Sequence, residues 1–105
     1  MRMEGKVAFI SGGARGIGAA ISRLLAREGA SIVIGDILEA EGIATETRIR
    51  EAGGQARFVH MDVRDEGQWK HALEAVVGRF GKLDVLVNNA GISTPQGVED
   101  LSVDD

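Results

Sequence analysis

At 105 residues, with 44% hydrophobic and 27% charged side chains, the chain is sized for one globular domain or part of one. A net charge of −4 without any clustered basic run argues against a binder of nucleic-acid backbone. The absence of cysteine excludes disulfides, thiolate metal sites and a cysteine nucleophile, and fits a reducing, cytoplasmic setting.

The first element is the apolar run Lys6–Ser11, bounded by glycines, which predicts a strand buried on both faces. A glycine-rich loop follows. Ile17, Ala20, Ile21, Leu24 and Leu25 then recur at helical spacing until Gly29 stops the helix. Ser31–Asp36 reads as a second buried strand. Ala40, Ile43, Ala44 and Thr47 mark a second helix, ended by Gly53 and Gly54. Ala56–Val63 reads as a third strand. Asp65 with Gln68 three positions on resembles a capping box. It opens an amphipathic helix that places Trp69, Ala72, Leu73, Val76, Val77 and Phe80 on one face and ends at Gly81. Leu83–Asn88 is the fourth strand. Ser102 and Asp105 form a further helix N-cap pair, so a helix is expected to start where these residues end. The N-terminus lacks the apolar core of a signal peptide, and no apolar run is long enough to span a bilayer.

Strict β-α alternation with short links predicts an α/β fold, a doubly wound parallel sheet with right-handed crossovers and helices on both faces. The expectation is a single partial domain over residues 1–105, truncated after the fourth strand, and the loops at its strand ends say that it is dinucleotide-binding, as follows from Ser11–Gly18 and Asp36.

The loop Ser11–Gly18 has the pattern G-x-x-x-G-x-G through Gly12, Gly16 and Gly18. A strand-to-helix junction aims free N–H groups and the positive end of a helix dipole at one point, and glycine lets a phosphate approach closely. Alone, the pattern is also compatible with a tight turn in any α/β protein. It lacks the Gly-Lys-Ser/Thr of a nucleotide-hydrolase loop. Asp36 sharpens the reading. It ends the second strand, 18 positions after Gly18, where a dinucleotide site places an acid on the adenosine ribose hydroxyls. An acid there repels a 2′-phosphate, so NAD is favoured over NADP. Arg15 pulls the other way, because it could reach a 2′-phosphate; it could also pair with Asp36 or stand in solvent. At Asp62-Val63 the Asp62 carboxylate could accept a bond from an adenine amino group, or serve as a turn or cap residue. Asn88 to Gly91 could tie loop backbone together or form a plain Asn-rich turn. His60 and His71 are isolated and have no ligand-spaced partner.

With these features in order, the chain resembles the short-chain dehydrogenases/reductases. The family's T-G-x-x-x-G-x-G appears as Ser11 to Gly18, with serine for threonine. Its acidic selector matches Asp36, its Asp-Val matches Asp62-Val63, and its N-N-A-G matches Asn88 to Gly91. The resemblance runs from about Lys6 onward, and is greatest to the bacterial hydroxysteroid and related alcohol dehydrogenase branch. It implies that Gly12, Arg15, Gly16, Ile17 and Gly18 lie at the pyrophosphate and nicotinamide end. Asp36 and Ile37 would lie at the adenosine ribose, Asp62 and Val63 at the adenine, and Asn89, Ala90 and Gly91 along the ribose toward the nicotinamide. It also implies a serine and a Tyr-x-x-x-Lys pair for catalysis, and a homo-oligomer, dimer or tetramer. The chain contains no tyrosine, so no catalytic residue is assigned within it, and a fragment of a longer oxidoreductase is expected. The substrate of that parent would be a small secondary alcohol or ketone. The rivals are a non-catalytic nucleotide-binding module and an NADPH-dependent 3-ketoacyl reductase.

Overall fold

The computed structural model describes residues 2–89; the Ser102/Asp105 pair lies outside them. The elements run β1 (Val7–Ser11), α1 (Gly16–Arg27), β2 (Ser31–Asp36), α2 (Glu39–Glu51), β3 (Gln55–His60), α3 (Glu66–Phe80) and β4 (Val85–Asn88). All pairings are parallel, in the order β3-β2-β1-β4. This is the Rossmann-like α/β architecture. β1 sits centrally, with β2 on one side and β4 on the other, so the chain reverses direction across the sheet at the β1/β4 junction.

Alternation explains why the strands read as continuous apolar runs. Ala8, Ile10, Ile32, Ile34 and Ala56 point to one face, where Ile49 of α2 and Ile21, Leu25 and Ala26 of α1 meet them. Val7, Phe9 and Val33 point to the other, under Ala72, Val76, Trp69, Leu73 and Phe80 of α3. Phe9 is fully buried, and Trp69 meets its ring edge-on with centroids 5.8 Å apart. Phe9→Ala is therefore expected to lower stability by about 3–5 kcal/mol in urea unfolding.

Two helix faces differ from the periodicity. In α1 the most buried residues are Gly18, Ala19 and Ser22; of the predicted face Ile21 and Leu25 pack against the core, while Ile17 is 72% and Leu24 48% exposed. In α2 they are Gly42, Thr45 and Ile49; Ile43 is 44% exposed, and Ala40, Ala44 and Thr47 are exposed too. The reason is close approach. The aromatic ring of Phe58 occupies the space that a Cβ at Gly42 would fill, so small residues mark the contact and bulkier ones are displaced to the flanks. The face of α3 follows the pattern except at Val77, which is 47% exposed.

Some ends shift as well. β3 stops at His60 rather than Val63, because β2 ends at Asp36 and offers no further partner. The last bond, from Met61 N to Asp36 O, turns Met61 into the core and leaves Asp62 and Val63 in a loop. β4 starts at Val85 because Asp84 is used differently: its Oδ2 accepts from Val7 N at 2.8 Å and from Lys82 Nζ at 3.2 Å. These bonds hold the Asp84 carboxyl below its ordinary range, with the Val7 bond the largest cause. At the β3 edge, Glu46 Oε2 caps the outward N–H of Phe58 at 2.9 Å, which blocks a free ladder donor. Among the described residues, no helix is long and apolar enough to cross a membrane.

Candidate functional site

The C-terminal ends of the four strands bring the sequence-predicted residues to one edge of the sheet. Ser11 pairs with Gly35 on one side and Asn88 on the other, and Asp36 pairs with His60. The glycine loop thus emerges beside Asp36 and beside Asn88-Asn89, while Asp62 and Val63 follow β3 at the far side.

The loop is pinned from every direction. Gly12 adopts φ +71°, and its N–H donates to Gly35 O at 2.7 Å. Asn89 Nδ2 donates to Gly12 O at 3.2 Å, and Asn89 N to Ser11 O at 3.2 Å. Ser11 Oγ donates to Asn88 Oδ1 at 2.9 Å inside the sheet. α1 then starts so close to the loop that a Cβ at Gly18 would overlap the Gly12 carbonyl. Arg15 occupies the N-cap in extended conformation, and no side chain caps the first turn. The leading N–H groups of α1 are therefore open toward the space above the strand ends, where a helix dipole favours negative charge. α3 is the contrast: there Asp65 Oδ1 accepts from Gln68 N at 3.2 Å and fills the cap.

Asp36 serves the same loop. Its Oδ2 accepts from Ala14 N and its Oδ1 from Leu38 N, both at 3.1 Å, so the carboxylate bridges the glycine loop and the start of α2. Ile37, between these contacts, is 50% exposed. Arg15 is exposed and forms no ion pair with Asp36.

Asp62 is held by Arg64, whose Nε and terminal nitrogen donate to its two oxygens at 3.1 and 2.9 Å, with Arg64 N on Oδ1 at 2.9 Å. The Arg64 side chain, then its backbone N–H, lowers the carboxyl from 3.8 to about 2. A carboxyl depressed in this way stabilises the fold above its ordinary pKa. That contribution is lost as pH falls from about 3.8 toward about 2, and it leaves neutral pH unaffected. Arg64→Ala is expected to return Asp62 toward 3.8 in an NMR pH titration, with little change in stability, since the pair is largely solvated. Val63 O accepts from Trp69 Nε1 at 2.7 Å, which fixes that segment to α3. Ala90 and Gly91 lie outside the described residues.

Three supporting residues were not visible as site residues in the sequence. Thr45 Oγ1 donates to Ala14 O at 2.7 Å, buttressing the loop from α2. Ser22 Oγ donates to Gly18 O at 2.9 Å within α1. Gln68 completes only half a capping box. Its Oε1 accepts from Asp62 N at 2.8 Å and its Nε2 donates to Asp65 Oδ2, instead of returning to the cap N–H. For Thr45 the available signal was the small-residue spacing Gly42, Thr45, Ile49.

A doubly wound parallel sheet with a glycine loop at its reversal point and an open helix N-terminus defines the Rossmann-type class. A family model for short chain dehydrogenases matches residues 6–105, and the chain belongs to that family. It is 49% identical over 105 residues to 2,5-dichloro-2,5-cyclohexadiene-1,4-diol dehydrogenase LinX of Sphingobium indicum, covering 98% of this chain and 41% of that protein. Among solved structures it superposes on a hydroxysteroid dehydrogenase from Escherichia coli with TM-score 0.84 and 36% identity, over 90% of this chain and 40% of that one. A metagenomic short-chain oxidoreductase in complex with NADP gives TM-score 0.83 and 37% identity, over 88% and 42%. The chain thus spans about 40% of the length of the relatives it matches.

Proposed function

We propose that residues 1–105 form the cofactor-binding part of an oxidoreductase that moves hydride between a nicotinamide dinucleotide and a secondary alcohol or ketone, with NAD preferred. The observation that carries the reading is the pairing of an uncapped helix N-terminus with the Asp36 carboxylate across one loop. The open N–H groups of α1 suit the pyrophosphate, and α1 can begin this close to the Gly12 carbonyl because Gly18 presents no Cβ. Asp36 ends the next strand over, where an acid suits the adenosine ribose hydroxyls, and its charge disfavours a 2′-phosphate. Asn89 fixes the Gly12 carbonyl and so the loop wall. The cofactor, when bound, supplies the hydride chemistry; this segment binds and orients it. A cyclic secondary alcohol is the favoured substrate class, because the relatives named above act on a cyclohexadiene diol and a hydroxysteroid. The reading extends to a cytoplasmic protein that assembles as a homo-oligomer; light scattering tests the assembly, and cell fractionation tests the location.

A second reading keeps NADP as the cofactor. It is favoured by exposed Arg15 in the loop and by the NADP complex of a structural neighbour. Calorimetric titration of the full-length protein with NADH and NADPH separates the two: tighter NADH binding is expected, tighter NADPH binding reverses the preference, and binding of neither rejects the dinucleotide reading.

A further inference from the structure

The opposite pole of the sheet, where the strands begin, carries a cationic groove that cofactor binding does not use. Arg57 of β3 stands in register beside Val33, a buried residue of the α3-facing layer. Alternation calls for an apolar side chain there. The chain instead places a guanidinium whose Nε is buried and has no hydrogen-bond partner. Such a group is costly to leave unsatisfied.

Arg57 sits where two hollows adjoin. One, of about 260 Å³, is lined by Arg50, Arg57 and Arg79 with Gln55 and Phe80. The other, of about 210 Å³, continues along Val33, Val59, Val76 and Phe80. None of the three arginines makes an ion pair or side-chain hydrogen bond among the described residues, and Arg79 lies over the Phe80 ring at 5.9 Å. Arg50 and Arg79 fall in the last turns of α2 and α3, where a helix dipole favours cations. That accounts for those two and not for Arg57, which is in a strand. The groove is therefore cationic at one end and apolar at the other.

We propose that it is a second small-molecule site, taking an amphipathic anion. A carboxylate or phosphate head would sit against the three guanidiniums, in the forked geometry arginine favours, and a short apolar tail would lie along Val59, Val76 and Phe80. Octanoate is a suitable probe, with octanol and inorganic phosphate beside it, followed by amide NMR shifts on the protein. The expected result is saturable shifts at Arg57, Val59 and Phe80, with octanoate binding at least ~10-fold tighter than either companion. Arg57→Met should weaken octanoate at least ~10-fold. Arg79→Met, at an exposed position, gives the same reading if Arg57→Met disturbs the sheet. Equal binding of octanol or of phosphate overturns the amphipathic assignment. No saturable shift at the β3 edge, or unchanged affinity in both variants, overturns the site.

Discussion

Gly18→Ala is expected to lose dinucleotide binding and to melt well below the parent. The added methyl would overlap the Gly12 carbonyl, and the neighbour is backbone, so no rotamer change relieves it. α1 must move away from the loop. That separates the open N–H groups from the position set by the Asn89 and Gly35 bonds to Gly12. Overpacking of this kind costs about 2–3 kcal/mol, or roughly 10–20 °C in a domain of this size. Affinity for NADH, measured by calorimetry, should fall at least ~100-fold, because the loop must be rebuilt to bind. Gly16→Ala is the control. Its φ of +59° makes an alanine strained by about 1 kcal/mol, yet the new methyl meets nothing within 4 Å. Gly16→Ala should thus keep much of the binding. Equal melting temperature and affinity for Gly18→Ala and the parent would sink the close-approach argument.

Asp36→Ala should change which dinucleotide is held. On the proposed reading the carboxylate is the charge that selects at the ribose, and it also fastens Ala14 N and Leu38 N. Removing it is expected to weaken NADH about 10-fold and to narrow the preference over NADPH by a comparable factor, since a hydrogen bond to a charged group is worth about 1.5–3 kcal/mol. Asp36→Asn separates the two roles. It keeps one oxygen acceptor, enough for one of the two backbone N–H groups, and loses the charge. If charge decides the preference, both variants shift it alike. If fastening the loop decides affinity, Asp36→Ala weakens both cofactors and Asp36→Asn, with one of the two bonds left, weakens both to a smaller degree. An NADH-to-NADPH ratio that stays constant in both variants would reject Asp36 as the selector.

The parts of the site readable in the sequence were those written in residue types that admit few readings. Glycines at a strand end, an acid closing the next strand and paired asparagines closing the fourth all reach the same edge, because parallel strands put their C-termini together. The strands were legible for a related reason: burial on both faces leaves unbroken apolar runs such as Val7 to Ile10. The face of α2 was not, and that of α1 only in Ile21 and Leu25, because the closest contact is made by Gly18, Ser22, Gly42 and Thr45, and hydrophobic periodicity does not register small or polar residues. Thr45 shows the limit most clearly. Its hydroxyl reaches Ala14 from an element 31 positions away, a relation that no local pattern encodes. The Asp62–Arg64 pair was hidden by the opposite problem, since two charges at that spacing in a loop are common and only geometry reveals the fork.

The bond from Asn89 to Gly12 joins residues 77 positions apart, and the Ser11–Asn88 bond does the same. The order of synthesis therefore matters to this loop. β1, β2 and β3 can zip together, and Asp36 can take hold of Ala14, while the fourth strand is still inside the ribosome. The clamp on the Gly12 carbonyl closes only when Asn89 has emerged. Non-local pairings of this kind pay their loop-closure entropy late and fold slowly. A nascent chain stalled before β4 would thus hold a half-built cradle, with the strand-one edge bare and ready to pair with the wrong partner.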